Sequence, residues 1–258
     1  MTYQSDFQKA IKALCHRHHL WQVWADLCAM SALSIANSVT LAPDRDRREQ
    51  QYMETVKRYS SEEAKQIARL FGMTTMALED EPHDFLGDTF MALELGSQWG
   101  GQFFTPTDLC TAMARLQVGP EAQQTIEQRG FITVHDPACG AGAMIIGVVK
   151  DLMARKVNYQ QALHATCTDV DATAAYMAYI QLSLLHVPAV VVIGNTLSME
   201  MREALYTPAH VMGLWDRKLE RGYALGSPAA ASREPAPEAL DLGRLTQGDM
   251  FGDREDAA

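Results

Sequence analysis

The sequence predicts an α/β fold, with a helical amino-terminal region followed by a partial, mostly parallel sheet, and three observations carry that prediction. Apolar residues recur at helical spacing through roughly the first 95 positions. Three short apolar runs, at 131–134, 163–168 and 189–193, are then separated by helix-length intervals, as in a βαβαβ unit. The first run ends in Asp136-Pro137-Ala138-Cys139-Gly140-Ala141-Gly142, a tight turn that feeds an apolar helical segment from Ala143 onward.

Taken in order, Phe7, Ile11 and Leu14, then Leu20, Val23, Trp24, Leu27 and Met30, predict two or three packed helices over residues 5–39. Cys15 and His19 would share one helix face, but a zinc site needs about four ligands and no second pair follows at suitable spacing, so a solvated basic turn is expected there. A charged break at 43–48 opens another helix through Tyr59. Ser60 followed by Glu63 is a capping-box pattern starting a helix at 62 that Gly72 is expected to end. Beyond Pro82, Phe85, Leu86, Phe90 and Met91 mark a further helix. Gly100-Gly101-Gln102-Phe103-Phe104-Thr105-Pro106 cannot continue it, whereas residues from Thr107 onward can start a new one.

The run at 131–134 is short and rich in β-branched residues, which predicts a buried strand of a covered parallel sheet. Ligands of open α/β sheets sit at such carboxyl ends. Gly140 and Gly142 lack a Cβ, so backbone there can lie against a ligand and take positive φ without strain. The second strand ends at Asp169-Val170-Asp171, where an acid can hold a ribose hydroxyl pair, while Asp171 is placed to cap the next helix. Pro188 breaks that helix, and the third strand stops at Gly194-Asn195. Met199 to Tyr206 reads as helix, and the Pro/Ala/acidic stretch from 226 onward has little to bury.

Composition limits the function classes. The chain has 258 residues, enough for one large or two small domains, and its 47% hydrophobic content can fill a core. The formal net charge is −10, and from Arg233 onward there are seven acids against three bases. No basic stripe announces a nucleic-acid surface, so contact with DNA must be local or come through a partner. Five scattered cysteines without a CxxC pair fit reduced thiols. No apolar stretch reaches the roughly 20 residues of a membrane span, and the amino terminus lacks a secretion signal. The expectation is a soluble cytoplasmic protein with no membrane contact and no metal.

Spacing narrows the ligand. A dinucleotide fingerprint needs a third glycine where Ile145 stands, and a phosphate-binding loop needs a Gly-Lys-Ser/Thr that is absent. An aspartate before the glycine turn and an acid after the second strand suit a ligand with an amino-acid end and an adenosine end.

Gly101-Gln102-Phe103-Phe104-Thr105-Pro106, Asp136-Pro137-Ala138-Cys139-Gly140-Ala141-Gly142 and Asp169-Val170-Asp171 resemble the S-adenosylmethionine motifs of N6-adenine DNA methyltransferases, above all the modification subunit of type I restriction systems. The resemblance covers about residues 80–200 well and the amino terminus loosely. It implies a partial Rossmann-like S-adenosylmethionine-dependent methyltransferase sheet. In that scheme Thr105 and Asp136, with Pro106 and Ala138 beside them, hold the methionine end. Gly140 and Gly142 give close approach, Asp169 with Val170 takes the ribose, Asn195 takes the adenine amino group, and Phe103 or Phe104 flanks the cofactor. It further implies adenine-specific DNA methylation in a restriction-modification or mobile-element system.

Relatives also carry an Asn/Asp-Pro-Pro-aromatic tetrapeptide at the end of the fourth strand, where it accepts from the target amine and stacks on the flipped base. This sequence has none. Thr207-Pro208-Ala209-His210 comes nearest, which makes Thr207, Pro208 and His210 the catalytic candidates. The alternative expectation is therefore a catalytically inactive, cofactor-binding regulatory or partner subunit. Four segments are expected: a helical region at 1–99, a cofactor-binding region at 100–200, a short helical extension at 201–225, and a disordered acidic tail at 226–258. The sheet also lacks a strand to lie beside the first one, so that edge is expected to be covered by a helix, by the tail or by a partner chain, the same or different.

Overall fold

The computed structural model describes residues 3–40, 44–98, 104–105 and 107–232. Helices α1 (Tyr3–Ala13), α2 (Leu20–Val39), α3 (Asp44–Val56), α4 (Ser61–Asp80) and α5 (Phe85–Ala92) form the amino-terminal part, and α6 (Leu95–Gln98) follows. Ser60 caps α4 in a reciprocal capping box, its hydroxyl accepting from the Glu63 amide and the Glu63 carboxylate accepting from its own. The helix does not stop at Gly72 but runs eight residues further, because helix-forming residues surround the glycine and a glycine inside a helix costs only about 1 kcal/mol. Cys15 lies in a short 3₁₀ turn before α2, so Cys15 and His19 do not share a helix.

Helices α7 (Thr107–Gln117) and α8 (Pro120–Arg129) lead into the sheet part: β1 (Ile132–Asp136), α9 (Ala143–Ala154), α10 (Tyr159–Ala162), β2 (Leu163–Asp169), α11 (Ala172–Leu184), β3 (Ala189–Asn195) and β4 (Glu200–Tyr206). The strand order is β1-β2-β3-β4, the first three parallel and β4 antiparallel to β3. The chain is thus mixed α/β with a mostly parallel four-stranded sheet, consistent with a partial methyltransferase fold. Short helices α12 (Pro208–Met212), α13 (Trp215–Arg221) and α14 (Pro228–Ala231) follow. Residues 228–231 fall within the segment expected to be a disordered tail, and the rest of that segment from 233 lies outside the described residues.

Two strand expectations need correction. Residues 199–206 were expected to be helical, since Glu, Met, Arg, Ala and Leu favour helix, yet Glu200–Tyr206 is a strand. Ladder bonds to β3, with Val191 opposite Leu205 and Asn195 opposite Glu200, override a propensity worth only tenths of a kcal/mol per residue. β1 was expected to be buried, but Thr133 and His135 are exposed and Ile132 and Val134 only half-buried. Among the described residues β1 pairs on one side alone.

Register shows which face is covered. In-register partners point to the same side of a sheet. Ile132, Val134, Leu163, Ala165, Cys167, Ala189, Val191, Ile193 and Leu205 share the side packed against α9 and α11. The other side carries Thr133, His135, Thr166, Val190 and Tyr206, none of them fully buried, with His164 and Thr168 buried toward its two ends. Helices α12 and α13 cover its amino-terminal end, over His164.

The helical part and the sheet share one core. A continuous apolar cluster runs from Phe7, Trp24 and Leu70 through Phe85 and Phe90 to Ile145, Ala165 and Val191. Polar links cross the same boundary: buried Arg48 of α3 donates to Glu203 of β4 at 2.8 Å and to the Ala204 carbonyl at 3.0 Å.

Candidate cofactor site

A cavity of about 270 Å³ opens where the carboxyl ends of β1 and β2 meet the turn before α9. Its lining includes Phe104, Thr105, Cys110, Asp136, Ala138, Gly140 and Asp169. The turn itself explains the two glycines. Gly140 has φ +54° and Gly142 φ +93°, the left-handed region in which a side chain is strained. A Cβ on Gly140 would come within 2.9 Å of the Phe104 ring, so that ring lies directly on bare backbone. Phe104 is held from behind by Phe90 of α5, with ring centroids 5.1 Å apart and nearly edge-on.

The carboxylates are built into this turn. One oxygen of Asp169 accepts from the Gly140 amide at 2.8 Å and the other from the Asp171 amide at 2.9 Å, tying the end of β2 to the turn after β1. Asp136 accepts from the Ala138 amide at 3.2 Å. Burial raises the Asp136 carboxyl above its usual range, a shift the Ala138 amide opposes and the nearby Asp169 charge reinforces. No lysine, arginine or histidine is among the described lining residues. The cavity therefore presents carboxylates, bare backbone and an aromatic ring, a surface suited to a cation with an apolar flank rather than to a phosphate.

Of the residues predicted for the site, Phe104, Thr105, Asp136, Ala138, Gly140 and Asp169 line this cavity, and Gly142 closes the turn behind it. Phe103 and Pro106 lie outside the described residues. Val170 is 61% exposed just beyond Asp169, outside the lining. Asn195 is not in the lining either. Its side-chain oxygen, expected to meet an adenine amino group, already accepts from the Leu197 amide at 2.9 Å and the Ser198 amide at 3.2 Å, closing the β3–β4 turn. Thr196 fastens that turn to the site by donating to the Pro137 carbonyl at 2.8 Å. Asp171 caps α11 as its position predicts, accepting from the Ala174 amide at 2.9 Å.

Thr207, Pro208 and His210 are not brought to the cavity. His210 contacts His164, at the amino-terminal end of β2, whereas Asp169 ends that strand five residues later, a separation of about 17 Å at strand rise. The Thr207 hydroxyl is fully buried, donating to the Val187 carbonyl at 2.8 Å and accepting from the Ala189 amide at 2.9 Å. His210 Nδ1 meets His164 Nε2 at 2.9 Å and its Nε2 meets Asp216 at 3.0 Å. Burial lowers both imidazoles, His164 to about 4. These are joints between β2, β3 and α12–α13.

Sequence reasoning missed Cys110, Cys139 and Met144 in the lining. Burial pushes the Cys110 thiol up to about 11, and a hydrogen bond with Cys167 together with burial raises Cys139. Both are therefore neutral, space-filling thiols. It also missed Gln181, fully buried on α11 behind the turn. The available signal was an amide inside the otherwise apolar stretch Tyr179-Ile180-Gln181-Leu182, since a buried amide needs partners.

Comparison with known proteins adds an independent observation. The family described as N-6 DNA Methylase matches residues 85–215, which include α5, the glycine turn and all four strands. The methylase subunit of the type I restriction enzyme MpnII from Mycoplasma pneumoniae is 30% identical over 97 residues, covering 34% of this chain and 17% of that subunit. The chain thus matches about a sixth of the length of that curated relative. No solved structure matches.

Proposed function

From the premise that this chain belongs to the N-6 DNA methylase family, we propose that its cavity binds S-adenosylmethionine and that the protein serves adenine-specific DNA methylation in a restriction-modification or mobile-element system. One observation carries the cofactor reading: the glycine turn, the Phe104 ring and the carboxylates of Asp136 and Asp169 converge on one cavity without a cation in its described lining. S-adenosylmethionine is a sulfonium with an ammonium group and an adenosine, and it supplies an activated methyl group when bound. The chain's residues fit such a ligand: the turn is a cradle that a Cβ would fill, and the donor set is anionic.

The roles follow from position. Asp136 and Thr105 hold the amino-acid end, where an approaching ammonium favours the charged carboxylate and offsets the upward push of burial on Asp136. Asp169 takes the ribose hydroxyls. Each of its oxygens accepts one backbone amide and keeps a further acceptor site, so the carboxylate is oriented before the ligand arrives. Phe104 flanks the ligand on the turn side. Adenine recognition by Asn195 requires its side-chain oxygen to be shared with the β3–β4 turn.

A second reading is favoured by the location of Thr207, Pro208 and His210 at the far end of the sheet. None of the 258 residues forms the Asn/Asp-Pro-Pro-aromatic tetrapeptide, and the nearest substitute is buried away from the cavity. On this reading the chain is a cofactor-binding partner subunit, and DNA is reached through another chain.

Calorimetry with S-adenosylmethionine tests the cofactor claim. The parent protein is expected to release heat, and Asp169→Ala to weaken binding about a hundredfold, since it removes both the ribose acceptor and the anchor of Gly140. No heat from the parent sinks the proposal. Methyl incorporation into unmethylated DNA by the lone chain selects the enzyme, and incorporation only after a neighbouring gene product is added selects the partner subunit.

A further inference from the structure

We infer that Gln181, with Asp84 behind it, is a positioning residue for the cofactor turn, through which helix α5 of the amino-terminal part sets the geometry of the cavity. The inference rests on the proposed cofactor reading for its functional consequence, though not for its structural one.

The Gln181 amide is fully buried and joins three segments. One hydrogen on Nε2 goes to Asp84 Oδ1 at 2.7 Å and the other to the Ala141 carbonyl at 2.8 Å, while Oε1 accepts from the Leu86 amide at 2.9 Å. Asp84 Oδ1 also accepts from the Gly87 amide at 2.9 Å, capping α5. The fit is close: a Cβ on Gly87 would stand 2.1 Å from Asp84 Oδ2. The start of α5 is thereby bolted to the middle of the glycine turn through one side chain.

What the bolt fixes is a peptide plane. The Ala141 carbonyl and the Gly142 N–H belong to the same peptide group. Gln181 holds the carbonyl, and the Cys139 carbonyl accepts from the Gly142 amide at 2.8 Å. The preceding Gly140 amide is held by Asp169. The plane turns about ψ of Ala141 and φ of Gly142, and the glycine side offers little steric restraint, so the plane rests on the bond from Cys139 inside the turn and on one from outside it. Gln181 supplies the hold from outside the turn. α5 supports the turn a second time through Phe90, whose ring backs Phe104 over Gly140. A shift of α5 therefore reaches both the floor and the wall of the cavity.

The test uses the full chain and two readouts. Hydrogen exchange of the amides at 139–144 is measured without ligand, and S-adenosylmethionine affinity by calorimetry. Gln181→Met, similar in size but unable to bond, should speed exchange in the turn about tenfold and weaken the cofactor about tenfold, while exchange around α12–α13 stays at the parent rate. His164→Leu serves as a control that loosens the opposite end of the sheet. If it alters the turn and the affinity as much as Gln181→Met does, Gln181 acts only through general stability and the inference is overturned. Unchanged exchange in Gln181→Met overturns it as well.

Gln181→Glu covers the case in which the methionine variant does not fold. It keeps the acceptor for Leu86 but sets an oxygen against both the Ala141 carbonyl and the Asp84 carboxylate, so turn protection should be low at neutral pH and recover on acidification, when this pair of carboxyls takes up protons and can donate. A protection profile that does not depend on pH overturns the inference. If the exchange results hold but the parent protein binds no S-adenosylmethionine, the positioning role stands and the cofactor reading fails.

Discussion

The two ends of the sheet hold comparable sets of polar side chains and put them to opposite uses. At the carboxyl end, Asp136 and Asp169 face a cavity, and their oxygens are oriented by amides of the chain. At the amino end, His164 and His210 are 2% and 1% exposed and bond each other, with His210 also bonded to Asp216, under Trp215. The difference teaches that polar groups alone do not make a site. A site also needs bare backbone and open volume beside them, which two glycines in the left-handed region provide at one end and a packed indole removes at the other.

The largest expected effect tests the amino end. Trp215 is buried against Phe131, with ring centroids 5.2 Å apart, and against His164 at 5.3 Å. Trp215→Ala should cost about 3–5 kcal/mol in denaturant unfolding. Cofactor affinity of the folded fraction should stay within about twofold of the parent's. A large loss of affinity in this variant would break the separation between the two ends.

Acid should act on the two ends with opposite sign. His164 has its folded value lowered to about 4 against an ordinary 6.5, so the unfolded chain binds more protons and stability falls as pH drops through that window, by on the order of 2–3 kcal/mol. Asp84, behind the glycine turn, has its carboxyl raised by burial to about 6, so its contribution is present at low pH and is lost as pH rises through 6. Melting temperatures from pH 7 to pH 4.5 should therefore fall less steeply in His164→Gln than in the parent. In Asp84→Asn, which keeps an acceptor without the charge, stability at pH 8 should exceed the parent's. Identical pH profiles in parent and His164→Gln would show that the buried imidazoles do not govern acid sensitivity.

The smallest effect sharpens the comparison at the carboxyl end. Gly140→Ala places a side chain at φ +54° and pushes on the Phe104 ring, a strain of about 1–2 kcal/mol. Cofactor affinity should drop about tenfold while the melting temperature moves by only a few degrees. An equal loss of affinity from Gly72→Ala, where the added methyl meets open space, would remove the argument for the turn.

Much of this was legible in the sequence, and the reasons are local. The capping box at Ser60, the cap at Asp171 and the three parallel strands depend on residue order and short-range periodicity. The glycine turn was legible because positive φ beside an aspartate leaves few residue choices. What was illegible depends on contacts between distant segments. The strand Glu200–Tyr206 reads as helix until β3 supplies a ladder, and β1 reads as buried until it is known which strands lie beside it. Gln181 reads as a stray polar residue until Asp84, Leu86 and Ala141 surround it.

The sequence by itself thus determined the α/β class, the turn from Asp136 to Gly142 and the acid at Asp169, because each is written in a few neighbouring residues. Only the tertiary structure decided that Thr207 and His210 stand at the wrong end of the sheet to meet a ligand in the cavity, and that the cavity wall is braced from α5. Those facts are distances between residues tens of positions apart. Chain folding sets such distances, and no local pattern records them.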